Sequence, residues 1–219
     1  MDYLMKLRSW FKAHRPRIPM AIAALTITGS LTFYWGAPES LLTVTQAAQR
    51  AVAGLSKEVI EVDGAPVTYL KGGKGEAVIL LHGIYAEKDH WDQVAGQLTD
   101  DFLVIAPDIP GFGESGMPKN GTYSYDQQVE RLHDFLRALK LDRYHLVGNS
   151  MGGAMVGAMA ARWPDETLSV TFFGGAPRVP GAKTSDMERI IANGGPSPMV
   201  VTSEAMYFRR FDFIFHNMP

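Results

Sequence analysis

Cysteine is absent from the 219 residues, which excludes disulfides, thiol nucleophiles and thiolate metal sites together. It does not choose a compartment, because extracytoplasmic proteins also do without cysteine. An excess of either charge is lacking too: 21 Lys and Arg against 23 Asp and Glu leave a formal net charge of −2. No basic stripe of the kind a nucleic-acid partner needs is present, so none is expected, and nothing points to a protein partner. The chain has no H-E-x-x-H, no Walker loop and no Rossmann glycine fingerprint, so neither a metal nor an organic cofactor is expected. Internal repeats and low-complexity segments are also missing. What remains is 46% hydrophobic and 20% charged, enough apolar mass for one sizeable domain plus a tail.

The long apolar run sits at the N-terminus. Lys6, Arg8, Lys12, Arg15 and Arg17 mark a basic tail over 1–17, ahead of an uncharged run from Ile18 to Trp35. As a helix that run spans about 27 Å, against a hydrocarbon core of roughly 30 Å. Phe33, Tyr34 and Trp35 close it, where aromatic rings favour the headgroup layer and the cationic end stays cytoplasmic. Residues 18–36 therefore read as a single-pass signal anchor with everything beyond them extracytoplasmic. A cleaved signal peptide, giving a secreted protein, and an interfacial helix are the competing readings. Residues 37–57 form a linker, Ala- and Gln-rich from Thr43 to Leu55, in which a short helix is expected.

A core over 58–176 follows. Val59, Glu61 and Asp63 alternate with Ile60 and Val62, and Gly64-Ala65-Pro66 turns the chain into Val67 to Leu70, a hairpin pattern. Ala77 to Leu81, Phe102 to Ala106, Tyr144 to Val147 and Leu168 to Phe173 are continuous apolar runs, as suits parallel strands covered on both faces. Val129, Leu132, Phe135, Leu136 and Leu139 recur at helical spacing, with Ser124 and Gln127 placed for a capping box. A further helix opens at Ser150 and stops before Pro164. Strand and helix in alternation imply an α/β fold with a mostly parallel sheet and helices on both faces. Beyond 177 the strand signals cease, and helices are expected over Met187 to Ile191 and Glu204 to Phe215.

Gly148-Asn149-Ser150-Met151-Gly152 is a G-x-S-x-G sequence between an apolar strand and a small-residue helix. A serine on such a sharp turn has a strained backbone, and side chains two residues to either side collide with it. Gly148 and Gly152 remove those collisions, and Gly153 lets the helix approach the strand. The hydroxyl of Ser150 then stands at the carboxyl edge of the sheet and at a helix N-terminus, placed for nucleophilic attack. An ordinary strand-to-helix turn with a capping serine is the bland alternative. Asp108 ends a strand at the same edge and is a superficial candidate for a triad acid. Chain order Ser, then acid, then His leaves only His216 downstream, offering Asp186 and His216 as partners. Both lie in helical sequence with no strand before them, a poor support for fixed geometry.

Leu80-Leu81-His82-Gly83, then Asp108 to Ser115 as D-I-P-G-F-G-E-S, then V-G-N-S-M-G-G together resemble α/β-hydrolase lipases and esterases. The resemblance covers roughly Val59 to Pro219 and is strongest to membrane-anchored monoacylglycerol-lipase-like members and related bacterial lipases. It implies that the backbone N–H groups of Ile84 and Met151 form the oxyanion hole. His82 and Gly83 become structural loop residues, and the Asp108 segment shapes a tight loop. It also implies that 177–219 begins a helical cap and that the acid and histidine follow two later strands, so the chain looks truncated inside the cap. The implied activity is carboxylic ester hydrolysis through an acyl-enzyme on Ser150, with a lipid ester such as a monoacylglycerol as substrate. Met187, Ile190, Ile191, Met199, Val200, Met206, Tyr207 and Phe208 either line an acyl channel or pack on one another. Carbon–carbon bond hydrolases and cofactor-free haloperoxidases share the serine and remain open, as does a non-catalytic membrane-tethered relative. His14, His90, His133 and His145 are read as structural or solvated.

Overall fold

The computed structural model describes residues 36, 38–117, 123–175, 181, 183–197 and 199–207. The basic tail over 1–17 and the predicted anchor over 18–36, apart from Gly36, lie outside the described residues, as do Phe208 and His216. No described helix is long and apolar enough to cross a membrane. The chain divides into two compact units, Met1–Pro177 and Arg178–Pro219.

In the first unit, α1 (Pro38–Val52) starts five residues earlier than the Ala- and Gln-rich stretch suggests and ends sooner. Proline is tolerated in a first helical turn, where its missing N–H is not needed. Gly54, at φ +68°, then breaks the helix, and Leu55 already belongs to a strand. β1 (Leu55–Val62) and β2 (Ala65–Gly72) form an antiparallel hairpin in which Val62 faces Ala65. Its turn is Asp63-Gly64, not Gly64 to Pro66. Both central residues have positive φ, 51° and 69°, which matches the twist of the flanking strands.

β3 (Ala77–Leu81), β4 (Leu103–Pro107), β5 (Tyr144–Asn149) and β6 (Thr167–Phe173) complete a six-stranded sheet of order β1-β2-β4-β3-β5-β6. The β3–β4, β3–β5 and β5–β6 pairs are parallel, whereas β2 runs antiparallel to β4. The continuous apolar runs reflect two cores. Ala77, Ile79 and Leu81 point to one, with Ile105, Leu146 and the faces of α3 (Tyr125–Ala138) and α4 (Met151–Arg162). Val78 and Leu80 point to the other, with Val104, Ala106, Trp91, Ala95 and Leu55. Between β3 and β4 the chain makes a 3-10 turn (Lys88–Trp91) and the short α2 (Asp92–Ala95), neither foreshadowed by periodicity.

The apolar stripe of α3 is as its spacing predicts: Val129, Leu132, Phe135 and Leu136 are all buried, and Phe135 meets Tyr69 edge to face at 5.2 Å. Ser124 caps the helix by accepting from the Gln127 N–H, but the Gln127 side chain accepts from the Ser124 hydroxyl and not from its main-chain N–H as in a full box. Among the described residues β6 stands at the edge of the sheet, paired with β5 alone, and Phe172 and Phe173 stay 42% and 51% exposed. An apolar run cannot report on its own whether a strand is central or at an edge.

In the second unit, α5 (Asp186–Ala192) carries a complete capping box between Ser185 and Glu188. None of its residues is buried, and Ile190, Ile191, Val200 and Tyr207 are exposed.

Phe135 is the largest apolar side chain of α3 at zero exposure. Phe135→Ala is expected to cost about 3–5 kcal/mol of stability, read as a lower midpoint in urea unfolding at unchanged slope. A midpoint within experimental scatter of the parent's would show that α3 does not anchor this core.

Candidate active site

The carboxyl ends of β3, β4 and β5 lie side by side, because these strands are parallel neighbours. Each releases a loop at that edge: 82–87 after β3, 108–117 after β4, and the turn at Ser150 after β5. Ser150 has φ 52° and ψ −112°, a conformation that costs a non-glycine residue of order 1–3 kcal/mol. Its N–H donates to the Phe173 carbonyl, which ties the turn to the end of β6. Its side chain is exposed and does not cap α4, although the residue occupies the cap position. A capping serine in an ordinary turn would bond the first free amides of the helix; this one leaves them open.

The glycines act through neighbours in space. A Cβ on Gly148 would overlap the Gly152 carbonyl, as collision across the turn predicts. A Cβ on Gly152, however, would strike the carbonyls of Leu81 and His82, and one on Gly153 would strike the carbonyl of Gly175. These two positions therefore admit the loop after β3 and the loop after β6, which sequence spacing alone does not reveal. At Gly83 an added Cβ would stand 3.1 Å from the Ser150 Cβ. The loop after β3 thus rests directly on the serine turn.

That loop contains a turn closed by the Ala86 N–H on the Gly83 carbonyl, with Tyr85 at φ 60°. Ile84 occupies its first central position, so the turn does not use the Ile84 N–H. Met151 is the first residue of α4, so its N–H has no intrahelical acceptor. Among the described residues neither amide has a hydrogen-bond acceptor. Met151 follows Ser150 in the chain, and Ile84 follows Gly83, the residue that lies against the Ser150 turn.

His82 is almost wholly buried. Its Nε2 accepts from the Ile109 N–H at 3.0 Å, which places the ring proton on Nδ1, where it donates to the Gly83 carbonyl at 2.8 Å. Burial pushes its pKa down, against weaker opposing effects from the Gly83 carbonyl and Asp108. A neutral ring locked at both nitrogens joins the loop after β3 to the loop after β4 and has no free nitrogen for a substrate. Asp108 is equally committed. Its carboxylate accepts from the Lys88 N–H at 2.8 Å, the Lys88 ammonium at 3.0 Å and the Glu114 N–H at 2.8 Å. Gly113, at φ 51°, lies against that carboxylate where no Cβ would fit.

The other histidines among the described residues are occupied elsewhere. His133 stacks on Trp163 at 3.7 Å and meets Glu166 at 2.8 Å, and His145 meets Ser169 at 2.8 Å. His90 accepts from the Glu87 N–H. Asp186 belongs to the second unit, where it pairs with Arg189. Sequence reasoning missed Lys88, fully buried among Asp89, Asp108 and Glu114 at 3.0–3.2 Å. In the sequence E-K-D-H it looks like a solvated charge run, and no local signal distinguishes it.

A family model described as alpha/beta hydrolase fold matches residues 76–213. Lipase 1 of Psychrobacter immobilis is 31% identical over 166 residues, covering 74% of this chain and 51% of the lipase. Monoacylglycerol lipase ABHD6 of Homo sapiens is 30% identical over 156 residues, covering 69% of this chain and 45% of that protein. The crystal structure of a membrane phospholipase A superposes with a TM-score of 0.73 at 33% identity, over 93% of this chain and 66% of that one. The chain thus spans about half the length of these two lipases.

Asp92, 4% exposed, has no hydrogen-bond partner for either carboxylate oxygen among the described residues. Burial first, and the Asp89 charge second, push its pKa up to about 6, against the pull of Arg50 and Lys88. A carboxyl that holds its proton more tightly when folded stabilises the fold in acid, and that contribution is lost as the pH rises through about 6. Asp92→Asn is therefore expected to flatten the pH dependence of the melting temperature, gaining on the parent between about pH 4 and pH 7. Parallel melting curves for the two proteins across that range would contradict the assignment.

Proposed function

The chain belongs to the α/β-hydrolase fold family, and on that premise we propose that the intact protein is a serine hydrolase cleaving carboxylic esters of lipids, with Ser150 as nucleophile. The observation that carries the proposal is the Ser150 turn itself: an exposed, strained serine, with the N–H groups of Ile84 and Met151 nearby in the chain path and without an acceptor among the described residues. Attack of Oγ on an ester carbonyl forms the Oγ–acyl bond and moves negative charge to the carbonyl oxygen. Amides fixed before the reaction stabilise that charge without reorganising, and one such donor is typically worth about 10²–10³ in rate. Collapse expels the alcohol, which carries away a proton, and water then cleaves the acyl-enzyme to free acid and Ser150.

The lipid character of the substrate rests on relatives whose names are lipases and on a structural neighbour described as a membrane phospholipase A. Tethering fits the same substrate. We place the uncharged run 18–36 in a bilayer as a single-pass anchor, with the basic tail 1–17 cytoplasmic and the hydrolase outside, on its length, charge flank and aromatic end. A monoacylglycerol, which partitions into the bilayer, then reaches the site without leaving the membrane surface.

In the intact protein, Ser150→Ala is expected to abolish covalent labelling by a fluorophosphonate and to lower ester turnover by more than about 10⁴-fold. Labelling of the alanine variant at the parent's rate would remove Ser150 from the chemistry.

A further inference from the structure

Lys88 is a lysine with no exposure, in a loop, where a charged side chain is costly unless it is paired. Its pairing has a direction. The main-chain N–H and the ammonium of this one residue both close on the Asp108 carboxylate, at 2.8 and 3.0 Å. Asp108 follows β4 and accepts a third bond, from the Glu114 N–H, while its own N–H donates to the Thr68 carbonyl of β2. The carboxylate is therefore anchored in the sheet, and Lys88 is what it holds. Glu114 at 3.1 Å and Asp89 at 3.2 Å complete the shell around the ammonium. Burial alone would push the lysine pKa down, but the hydrogen bond and charge of Asp108, with Glu114 and Asp89, hold it well above the ordinary value.

The loop held in this way is the one that carries Ile84, four residues earlier, and His82 fixes its other end through the Ile109 N–H. Between these two ties the loop lies against the serine turn at Gly83. We infer that Lys88 is a positioning residue: by clamping the loop after β3 onto Asp108, it sets where the Ile84 N–H stands relative to Ser150. The inference rests on the proposed hydrolase reading and adds a residue remote from the reacting atoms. Lys88 touches neither Ser150 nor substrate in this scheme. Removing its ammonium keeps the ties through His82, the Lys88 N–H and Glu87 but takes away the side-chain half of the clamp on Asp108. The loosened loop lets Ile84 shift, which weakens one of the two oxyanion donors.

The test compares the intact protein with Lys88→Met and Glu114→Gln, the latter at a half-exposed side chain, where the replacement is expected to disturb folding less than one at the fully buried lysine. Phosphonylation by a fluorophosphonate is timed at a temperature where circular dichroism shows each protein folded. The phosphorus NMR resonance of each adduct is then recorded. Lys88→Met is expected to slow phosphonylation about 10- to 100-fold, part of what a lost donor costs, to lower kcat with KM nearly unchanged, and to move the phosphorus resonance. Glu114→Gln is expected to shift both readouts in the same direction by less, and it decides the matter alone if Lys88→Met does not fold. Parent-like rates and resonances in the folded variants overturn the inference. Absence of labelling at Ser150 in the parent protein sinks the hydrolase reading instead, so the two failures are distinct.

Discussion

The bend at Ser150 is the constraint on which the rest of this edge depends. A residue with a side chain is held at φ 52° and ψ −112°, and such a conformation persists only where surrounding contacts over-determine it. Here three backbone segments press on it. Gly83 brings the loop after β3 against its Cβ, Gly175 brings the loop after β6 against its carbonyl, and Gly152 lets α4 begin under the carbonyls of Leu81 and His82. Each close approach is possible because the residue concerned has no Cβ. The sheet supplies the frame: β3 lies between β4 and β5, so the loops leaving the carboxyl ends of all three lie at one edge.

Polar groups near this edge are spent on holding loops, which explains why two tempting catalytic candidates have other work. The His82 ring bonds through both nitrogens, and the Asp108 carboxylate accepts three hydrogen bonds. Groups so fully engaged are rigid, and rigidity in the supporting residues is what keeps amide donors on target. Ser150, by contrast, projects from the turn with its hydroxyl uncommitted to the helix behind it. The proposed chemistry uses that division: satisfied side chains fix the frame, and the serine is left uncommitted.

A second electrostatic feature links α1 to the same region. Arg50 reaches the buried Asp89 at 3.4 Å, and Gln46 donates to Glu87 at 2.8 Å. Both acceptors lie in the segment that runs directly on from the loop after β3. Within the first unit the linker helix is therefore joined to the residues on either side of Lys88, Glu87 and Asp89, and Asp92, without a hydrogen-bond partner among the described residues, bears the electrostatic cost.

Much of this was written in the sequence, because the relevant physics is local. Continuous apolar runs and the hairpin pattern located β2 to β5 within two residues, while β1 begins four residues before the alternation read from Val59, and a helical stripe located α3, since burial of one face requires that spacing. The G-x-S-x-G turn between strand and helix was legible for the same reason: it is a requirement on five adjacent residues. Contacts between residues distant in the chain were not legible. Nothing local tells Lys88 in E-K-D-H from a solvated lysine, or shows that Gly152 makes room for Leu81. Nor does an apolar run state whether β6 is covered or stands at the edge with Phe172 and Phe173 exposed. Those properties depend on which segments the sheet order brings together, and partners as distant in the chain as Leu81 and Gly152 are chosen only when the whole unit closes.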